Sequence, residues 1–403
     1  MIQALMTVVG IGEDGLLGLN PAARALVDGA EVLVGGERHL AKAPEVQAER
    51  LGWSAGFDAT LDKIEGHFGK RIIVLASGDP SHCGVGTTLI RRFGAEKVAV
   101  LPHPSSISLT CARMGWSVPD VQVVTIHGRP LESLNLHLHN GARLVVLARD
   151  GKSPREVAKL LNDQGFGGST ISVWEHLGGE AEHKVKALSL NWGDKCCADL
   201  CTLALDLVAG ADAKPLSRLA GLPDAAFEHD GQLTKREVRA VTLSALAPKP
   251  GEMLWDLGAG AGSISIEWMR ADRSCQAVAV ERDGDRAARI ARNAAALGVP
   301  RLTVEQKDSL ESLSELSGEP DAIFIGGGVG TPGLLDAAWV RVKPGGRLVA
   351  NAVTLEGEEA LSQLRTKVGG DLLRLTVERA EQTKGATFMT ALRTVTQFVG
   401  AKP

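Results

Sequence analysis

Gly258-Ala259-Gly260-Ala261-Gly262 follows the apolar run MLWDL and precedes a helical pattern that starts at Ser263. Glycines permit a tight strand-to-helix turn and let backbone N–H groups approach a ligand closely. In open α/β sheets, ligands bind beyond the carboxyl ends of strands, where the strand order reverses. Glu281 ends the next apolar run, where a carboxylate can accept both hydroxyls of a ribose. Asp308, with Ser309 beside it, ends the approach of a third strand, within reach of an adenine amine. A lone glycine loop says little, but these features at successive strand ends point to a nucleoside-type cofactor. The loop reads GxGxG after Asp256, not the GxGxxG of dinucleotide sites, so NAD is not the expected ligand.

A second glycine set lies near the start. Gly10 and Gly12 sit in VVGIGEDG, which formally contains GxGxxG. The acid that NAD binding needs after a second strand is missing, because Glu31 precedes its strand. Ser77-Gly78-Asp79-Pro80 follows another strand, and His103-Pro104-Ser105-Ser106 follows one more and opens a helix. Asp79 could act as an acid, but aspartate before proline is more often a turn former that serves the backbone. His82 lies in the GDPSHCG turn, where two readings stand: a contact to substrate, or a loop histidine with no role. His137 and His139 alternate in LNLHLHN and would share one face of a strand; no third ligand accompanies them, so no metal site is expected. Cys196, Cys197 and Cys201 cluster without a CxxC spacing, which reads as buried thiols in a reduced compartment. Arg286, Arg289 and Arg292 recur at helical spacing and read as a solvated face.

The elements that carry these residues alternate along the chain. In the first half, residues 5–9, 31–34, 72–76, 97–101, 122–126 and 143–148 read as strands, mostly continuous apolar runs as in a buried parallel sheet. From Thr170 the strands look more open (171–174, 183–187, 203–207). AGADAKPLSRLAGL reads as a linker, which places domains at 1–208 and 226–403 around a linker at 209–225. In the second half, helix 235–246, capped by Thr234, leads into strands 253–257, 277–281, 302–305, 322–325 and 348–352. Helices 285–297, 332–342 and 356–368 alternate with them, and 373–378 and 388–398 close the chain as an antiparallel pair. The fold class is α/β, doubly wound in the second half.

The 403 residues suit two or three domains at ~100–200 residues each. Net charge is −4 and neither half is basic, so a nucleic-acid partner is not expected. ALMTVVGIG, from residue 4, reads as a strand entering a glycine turn and not as a signal peptide. No apolar run reaches the ~18 residues of a membrane span. A cytoplasmic location and a homo-oligomer are expected.

The second half resembles the Rossmann-like S-adenosylmethionine methyltransferases in its GxGxG loop, Glu281, Asp308 and the KPGGR turn. More finely it is similar to the decarboxylating precorrin methyltransferases of cobalamin biosynthesis, over residues 229–398. That likeness rests on TKREVR at 234–239, WDLGAGAGSISIE, FIGGGVG at 324–330 and KPGGRLVANAV at 343–353. It implies that Thr234 and the Gly258–Gly262 loop line the cofactor site. A strand ending in Gly326-Gly327-Gly328 leaves room for a broad flat substrate. Lys235, Arg236 and Arg239 are the candidates for holding its carboxylates. The first half, over residues 4–205, resembles the tetrapyrrole methylases, whose cleft takes S-adenosylmethionine. Gly10, Gly12, Gly78, Asp79, Pro80, Ser105 and Ser106 match the lining segments. The GEDGLLGL form of the first loop departs from the commoner GPGDPELLTL.

Together the resemblances imply one S-adenosylmethionine per domain and a tetrapyrrole substrate. They imply methylation of precorrin-6B at C5 by the first domain. The second would methylate C15 and remove the ring-C acetate carboxyl, giving precorrin-8. Two alternatives stay open: a two-domain methyltransferase on another tetrapyrrole or on RNA, and a nucleotide-binding regulator without turnover. Acid–base residues for the decarboxylation are not identifiable.

Overall fold

A computed structural model describes residues 5–82, 84–383 and 385–403, so Ala4 and Cys83 of the sequence readings lie outside it. The chain forms two units, Met1–Arg129 with His139–Lys214, and Pro130–Leu138 with Pro215–Pro403. Among the described residues, no helix is long and apolar enough to cross a membrane.

The first unit holds two five-stranded sheets. β1 (Met6–Ile11), β2 (Val32–Val34), β3 (Glu49–Leu51), β4 (Ile72–Ser77) and β5 (Val98–Leu101) form one, in the order β3-β2-β4-β1-β5, all parallel. β1 is apolar almost throughout because both faces are covered: Met6 and Val8 pack on one side, Val9 and Ile11 on the other. β6 (Gln122–Thr125), β7 (Arg143–Leu147), β8 (Thr170–Glu175), β9 (His183–Leu188) and β10 (Cys201–Asp206) form the second, in the order β6-β7-β10-β8-β9. Here only β6 and β7 are parallel, and β9 is a largely exposed edge.

The second unit carries a seven-stranded sheet. Its strands are β11 (Met253–Leu257), β12 (Gln276–Val280), β13 (Thr303–Glu305), β14 (Ala322–Ile325), β15 (Arg347–Ala352), β16 (Asp371–Leu375) and β19 (Val395–Ala401). Their order is β13-β12-β11-β14-β15-β19-β16, with β19 antiparallel to both its neighbours. Alternate residues of β11 and β14 feed two cores: Leu254 and Phe324 one face, Trp255 and Ile325 the other. β17 (Glu378–Thr383) and β18 (Ala386–Ala391) pair only with each other. The closing pair expected from sequence is therefore four strands, two in the sheet and a hairpin between them. Its second strand, ATFMTA, is exposed throughout although Phe388 and Met389 are apolar, so periodicity merged it with its neighbours.

Three further readings are corrected. LNLHLHN is not a strand: Leu131–His137 is a 3-10 helix, and it belongs to the second unit, where Asn135 donates to the Ala295 carbonyl at 3.3 Å. The arginine series is not merely solvated. Arg286 and Arg289 grip Asp230 at 2.9 and 3.2 Å, and Arg292 grips Glu228 at 2.6 Å. Thr234 is not a cap: the helix runs Arg236–Leu246, with Lys235 in the N-cap position and no side-chain cap.

The Thr234 carbonyl serves Arg239 instead. Arg239 is fully buried, which removes it from the substrate candidates. Its guanidinium donates to Glu267 at 2.6 Å, to Asp224 at 3.2 Å and to the Leu222 carbonyl, and lies over the Phe227 ring. Glu267 takes two more donors, the Gly221 and Leu222 amides. Arg379 of β17 then bonds Asp224 at 3.0 Å and Glu237 at 2.6 Å, which ties the hairpin to this buried pair. Removing one partner of a buried pair strands the other charge. Arg239→Met should therefore cost about 3–5 kcal/mol of stability in this unit. Urea unfolding followed by tryptophan fluorescence checks this; an unchanged midpoint rules the network out as a stabiliser.

Candidate active sites

In the second unit, β11 and β14 are neighbours although β12 and β13 intervene in sequence, so the strand order reverses between them. A cavity of about 850 Å³ opens at the carboxyl ends of these strands. Gly258, Ala259 and Gly260 line it. Gly258, Gly260 and Gly262 take φ of 72°, 61° and 76°, the left-handed region that side chains avoid. A Cβ on Gly258 would sit 3.1 Å from the Gly327 backbone, and one on Gly262 would be 2.7 Å from Ile290. Ala261 and Gly262 do not line the cavity; they carry the turn into the helix Ser263–Ala271.

Glu281 lines the cavity and is buried. Its Oε2 accepts the Gly260 N–H at 2.9 Å and its Oε1 accepts the Asp283 N–H at 3.1 Å. A carboxylate has about four acceptor sites, so roughly two remain for hydroxyls of a ligand. Asp308 caps the helix Ser309–Glu315 through the Leu310 N–H at 2.9 Å, and both Asp308 and Ser309 line the cavity. Thr234, Lys235 and the Gly326-Gly327-Gly328 strand end complete the sequence-identified lining. Arg236 is exposed and outside it, and Arg239 is in the core. The loop geometry and the acids at two successive strand ends fit a nucleoside with a ribose diol.

Sequence reasoning missed Arg393, Arg282 and Asn351, which also line this cavity. Strand pairing far along the chain places Asn351 and Arg393 there, whereas Arg282 comes with its neighbour Glu281. Asn351 is held by Thr242 at 2.9 Å and by Gln397 at 2.8 Å.

The first unit has a cavity of about 580 Å³ lined by residues of both its sheets. Gly12, Gly78, Asp79, Ser105 and Ser106 line it. Gly10 lies behind: its Cβ would fall 1.9 Å from the Gly78 carbonyl oxygen, so only glycine fits. Pro80 packs under Gly84 and Gly86 rather than facing the cavity. Asp79 accepts the Ser81 N–H at 2.8 Å, the turn role foreseen for it. Ser105 caps its helix through Ser108 N–H at 3.2 Å. His82 reaches the wall. Arg38 and His39, unmarked in the sequence, meet Ser77 Oγ at 3.0 and 2.8 Å. Burial, then the Arg38 charge, pushes His39 down to about 4, so it is neutral at pH 7. The cysteine cluster is only partly buried: Cys196 is exposed and Cys201 lies inside, its thiol pushed up to about 12 by burial.

Asp256 underlies the second glycine loop. Its Oδ2 accepts the Ser265 N–H and hydroxyl at 3.1 and 2.5 Å, while its buried Oδ1 has no hydrogen-bond partner among the described residues. Burial first, then Glu281, pushes its carboxyl up to about 6. The folded state thus keeps a proton that the unfolded chain releases near 3.9. This contribution is complete below pH ~4 and is lost as pH rises through 6. Asp256→Asn, neutral at every pH, should gain stability over the parent on the order of 2–3 kcal/mol at pH 8 relative to pH 4. Urea midpoints at the two pH values measure it; a pH-independent difference contradicts the assignment.

The family model of tetrapyrrole (corrin/porphyrin) methylases matches residues 6–189, and that of the precorrin methyltransferase domain matches residues 225–402. A precorrin-6Y C(5,15)-methyltransferase [decarboxylating] from Sinorhizobium sp is 45% identical over 100% of this chain and 97% of its own. Two shorter relatives each match under half of this chain. One is a cobalt-precorrin-7 C(5)-methyltransferase from Salmonella typhimurium, 38% identical over 44% of this chain and 88% of its own. The other is a probable cobalt-precorrin-6B C(15)-methyltransferase (decarboxylating) from Saccharolobus solfataricus, 32% identical over 46% and 97%. With two glycine-lined cavities on unlike sheets and identity along its whole length, the chain belongs to the precorrin-6Y C(5,15)-methyltransferase (decarboxylating) family.

Proposed function

We propose that this enzyme methylates precorrin-6B, also called precorrin-6Y, at C5 and C15 and removes the ring-C acetate carboxyl in cobalamin biosynthesis, giving precorrin-8. The end-to-end identity to a relative of that name carries the reading. The finer assignment gives each unit one S-adenosylmethionine, with C5 methylated in the first and C15 methylation and decarboxylation in the second. Its support is that each unit has its own glycine-lined cavity, and that the two activities occur on separate shorter relatives.

Bound S-adenosylmethionine supplies an electrophilic methyl group. Glu281 would take the ribose hydroxyls on the lone pairs left by the Gly260 and Asp283 amides. Asp308, already fixed by its cap, offers its other oxygen to an amine. Gly326–Gly328 present backbone without side chains, so a flat macrocycle can lie against that strand end. Meso carbons of a reduced tetrapyrrole are enamine-like nucleophiles, so alignment of the reacting atoms matters more than a strong base. On decarboxylation the C–C bonding pair passes into the protonated macrocycle, which acts as the electron sink.

Glu281→Ala should weaken S-adenosylmethionine binding in the second unit by ~10–150-fold, the loss of a charge-assisted hydrogen bond. Calorimetry on the full chain reads this as one weakened site of two; two unchanged sites rule the role out. Excised halves would mislead here, because Pro130–Leu138 completes the second unit.

Gly12 and Gly260 separate the two chemistries. A Cβ at Gly12 would lie 2.4 Å from Asp14 Oδ1, and Gly260 already sits at φ 61° with the Gln232 carbonyl 3.3 Å from its Cβ position. Gly260→Arg should lose carbon dioxide release and one methylation. Gly12→Arg should keep the carbon dioxide loss and add one methyl instead of two. Mass spectrometry of the product from precorrin-6B distinguishes these outcomes. Two methyls added by the folded Gly12→Arg chain would remove the methylation role from the first unit.

A further inference from the structure

The second cavity divides along the sheet. Gly258–Gly260, Glu281 and Asp308 lie at the ends of β11, β12 and the segment after β13. Beyond the strand-order reversal lie the ends of β14 and β15, flanked by β19. Two cations stand on that side. Arg393 precedes β19, whose Thr396 pairs with Ala352 at the end of β15, beside the Gly326–Gly328 strand end. Lys235 starts the helix Arg236–Leu246, which packs on β15 and β19 and also on the helix Ser263–Ala271 after the glycine loop.

Both residues line the cavity, and neither side chain has an ion-pair or hydrogen-bond partner among the described residues. That sets them apart from their neighbours. Arg239, Arg286 and Arg379 are all matched by carboxylates. Arg282, also unmatched, follows Glu281 and stands on the other side. An unpaired lysine at an uncapped helix start adds positive charge to the positive end of a helix, an arrangement that favours an incoming anion.

We infer that Lys235 and Arg393 form a carboxylate clamp for acid side chains the tetrapyrrole retains through the reaction. This rests on the proposed function. A carboxylate held by cations is stabilised and loses carbon dioxide less readily, so the departing carboxyl lies against the uncharged Gly326–Gly328 wall instead. The clamp sets binding and orientation and takes no part in the bond-breaking step.

The test uses the full chain with Lys235→Gln, Arg393→Gln and the double variant. The clamp predicts that KM for carbon dioxide release from precorrin-6B rises ~10-fold or more in each single variant while kcat stays within about twofold. S-adenosylmethionine stoichiometry stays unchanged. Lys235→Arg should restore most of the loss, and Arg236→Gln, exposed and off the cavity, should match the parent. An unchanged KM overturns the clamp. So does a collapse of kcat at constant KM, which would put these cations on the departing carboxyl. Binding of uroporphyrin, compared with its octamethyl ester by fluorescence quenching, gives a second readout without turnover. The double variant should lose one acid-dependent site; retention of every such site overturns the clamp as well. If the parent enzyme binds the acid at that site but turns over no precorrin-6B, the functional reading fails and the clamp stands.

Discussion

Backbone must touch backbone at both sites, and most of what surrounds them follows from that constraint. Gly10 cannot carry a side chain because the Gly78 carbonyl occupies the space. Gly258 is crowded by Gly327. At Gly10 the approach leaves no room for a Cβ, at Gly258 it is tight and the backbone is left-handed as well, and in each case the cavity opens just beyond the meeting point. The strands behind are correspondingly apolar and covered on both faces, since a sheet that positions its ends so tightly has to be rigid. The two units reach this solution on unlike sheets, one a parallel five-stranded sheet beside a mixed one, the other seven-stranded with an antiparallel strand near its edge.

The chain uses arginine in two opposed ways. Arg239 is fully buried and spends its donors on Glu267, Asp224 and two carbonyls, so it shapes the wall without reaching the cavity. Arg393 sits on the wall with no side-chain partner among the described residues. Sequence alone does not separate these roles, because both residues flank the same site and differ in burial and in the partners that the fold brings to them. The buried pair is the costlier arrangement, and it is kept where a loop, a helix start and the hairpin must meet in one place.

Much of the architecture was legible. Met253–Leu257 and Ala322–Ile325 stand where the apolar runs put them, and the glycine loop, Glu281 and Asp308 meet around one cavity. The failures share a cause. LNLHLHN alternates like a strand, yet most of it lies in the 3-10 turn Leu131–His137, whose Asn135 bonds the Ala295 carbonyl 160 residues away. Residues 373–398 hide a hairpin because its second strand faces water on both sides and carries no burial period. Thr234 has the right chemistry for a cap, but a buried arginine claims its carbonyl and turns it toward the cavity. Local pattern fixes what packs locally; it cannot register a claim made from far along the chain.

Synthesis on the ribosome runs in one direction, and the Leu131–His137 turn is out of order. Leu134 is fully buried, and its neighbour Asn135 bonds Ala295. At translation rates of ~5–20 residues per second, the turn emerges roughly 8–30 s before the helix that receives it. The first unit therefore closes around a gap in its own sequence, leaving an apolar peptide looped out and waiting. Fission of such a gene by a single cut would leave one product with an unmatched leucine and the other with an uncovered helix.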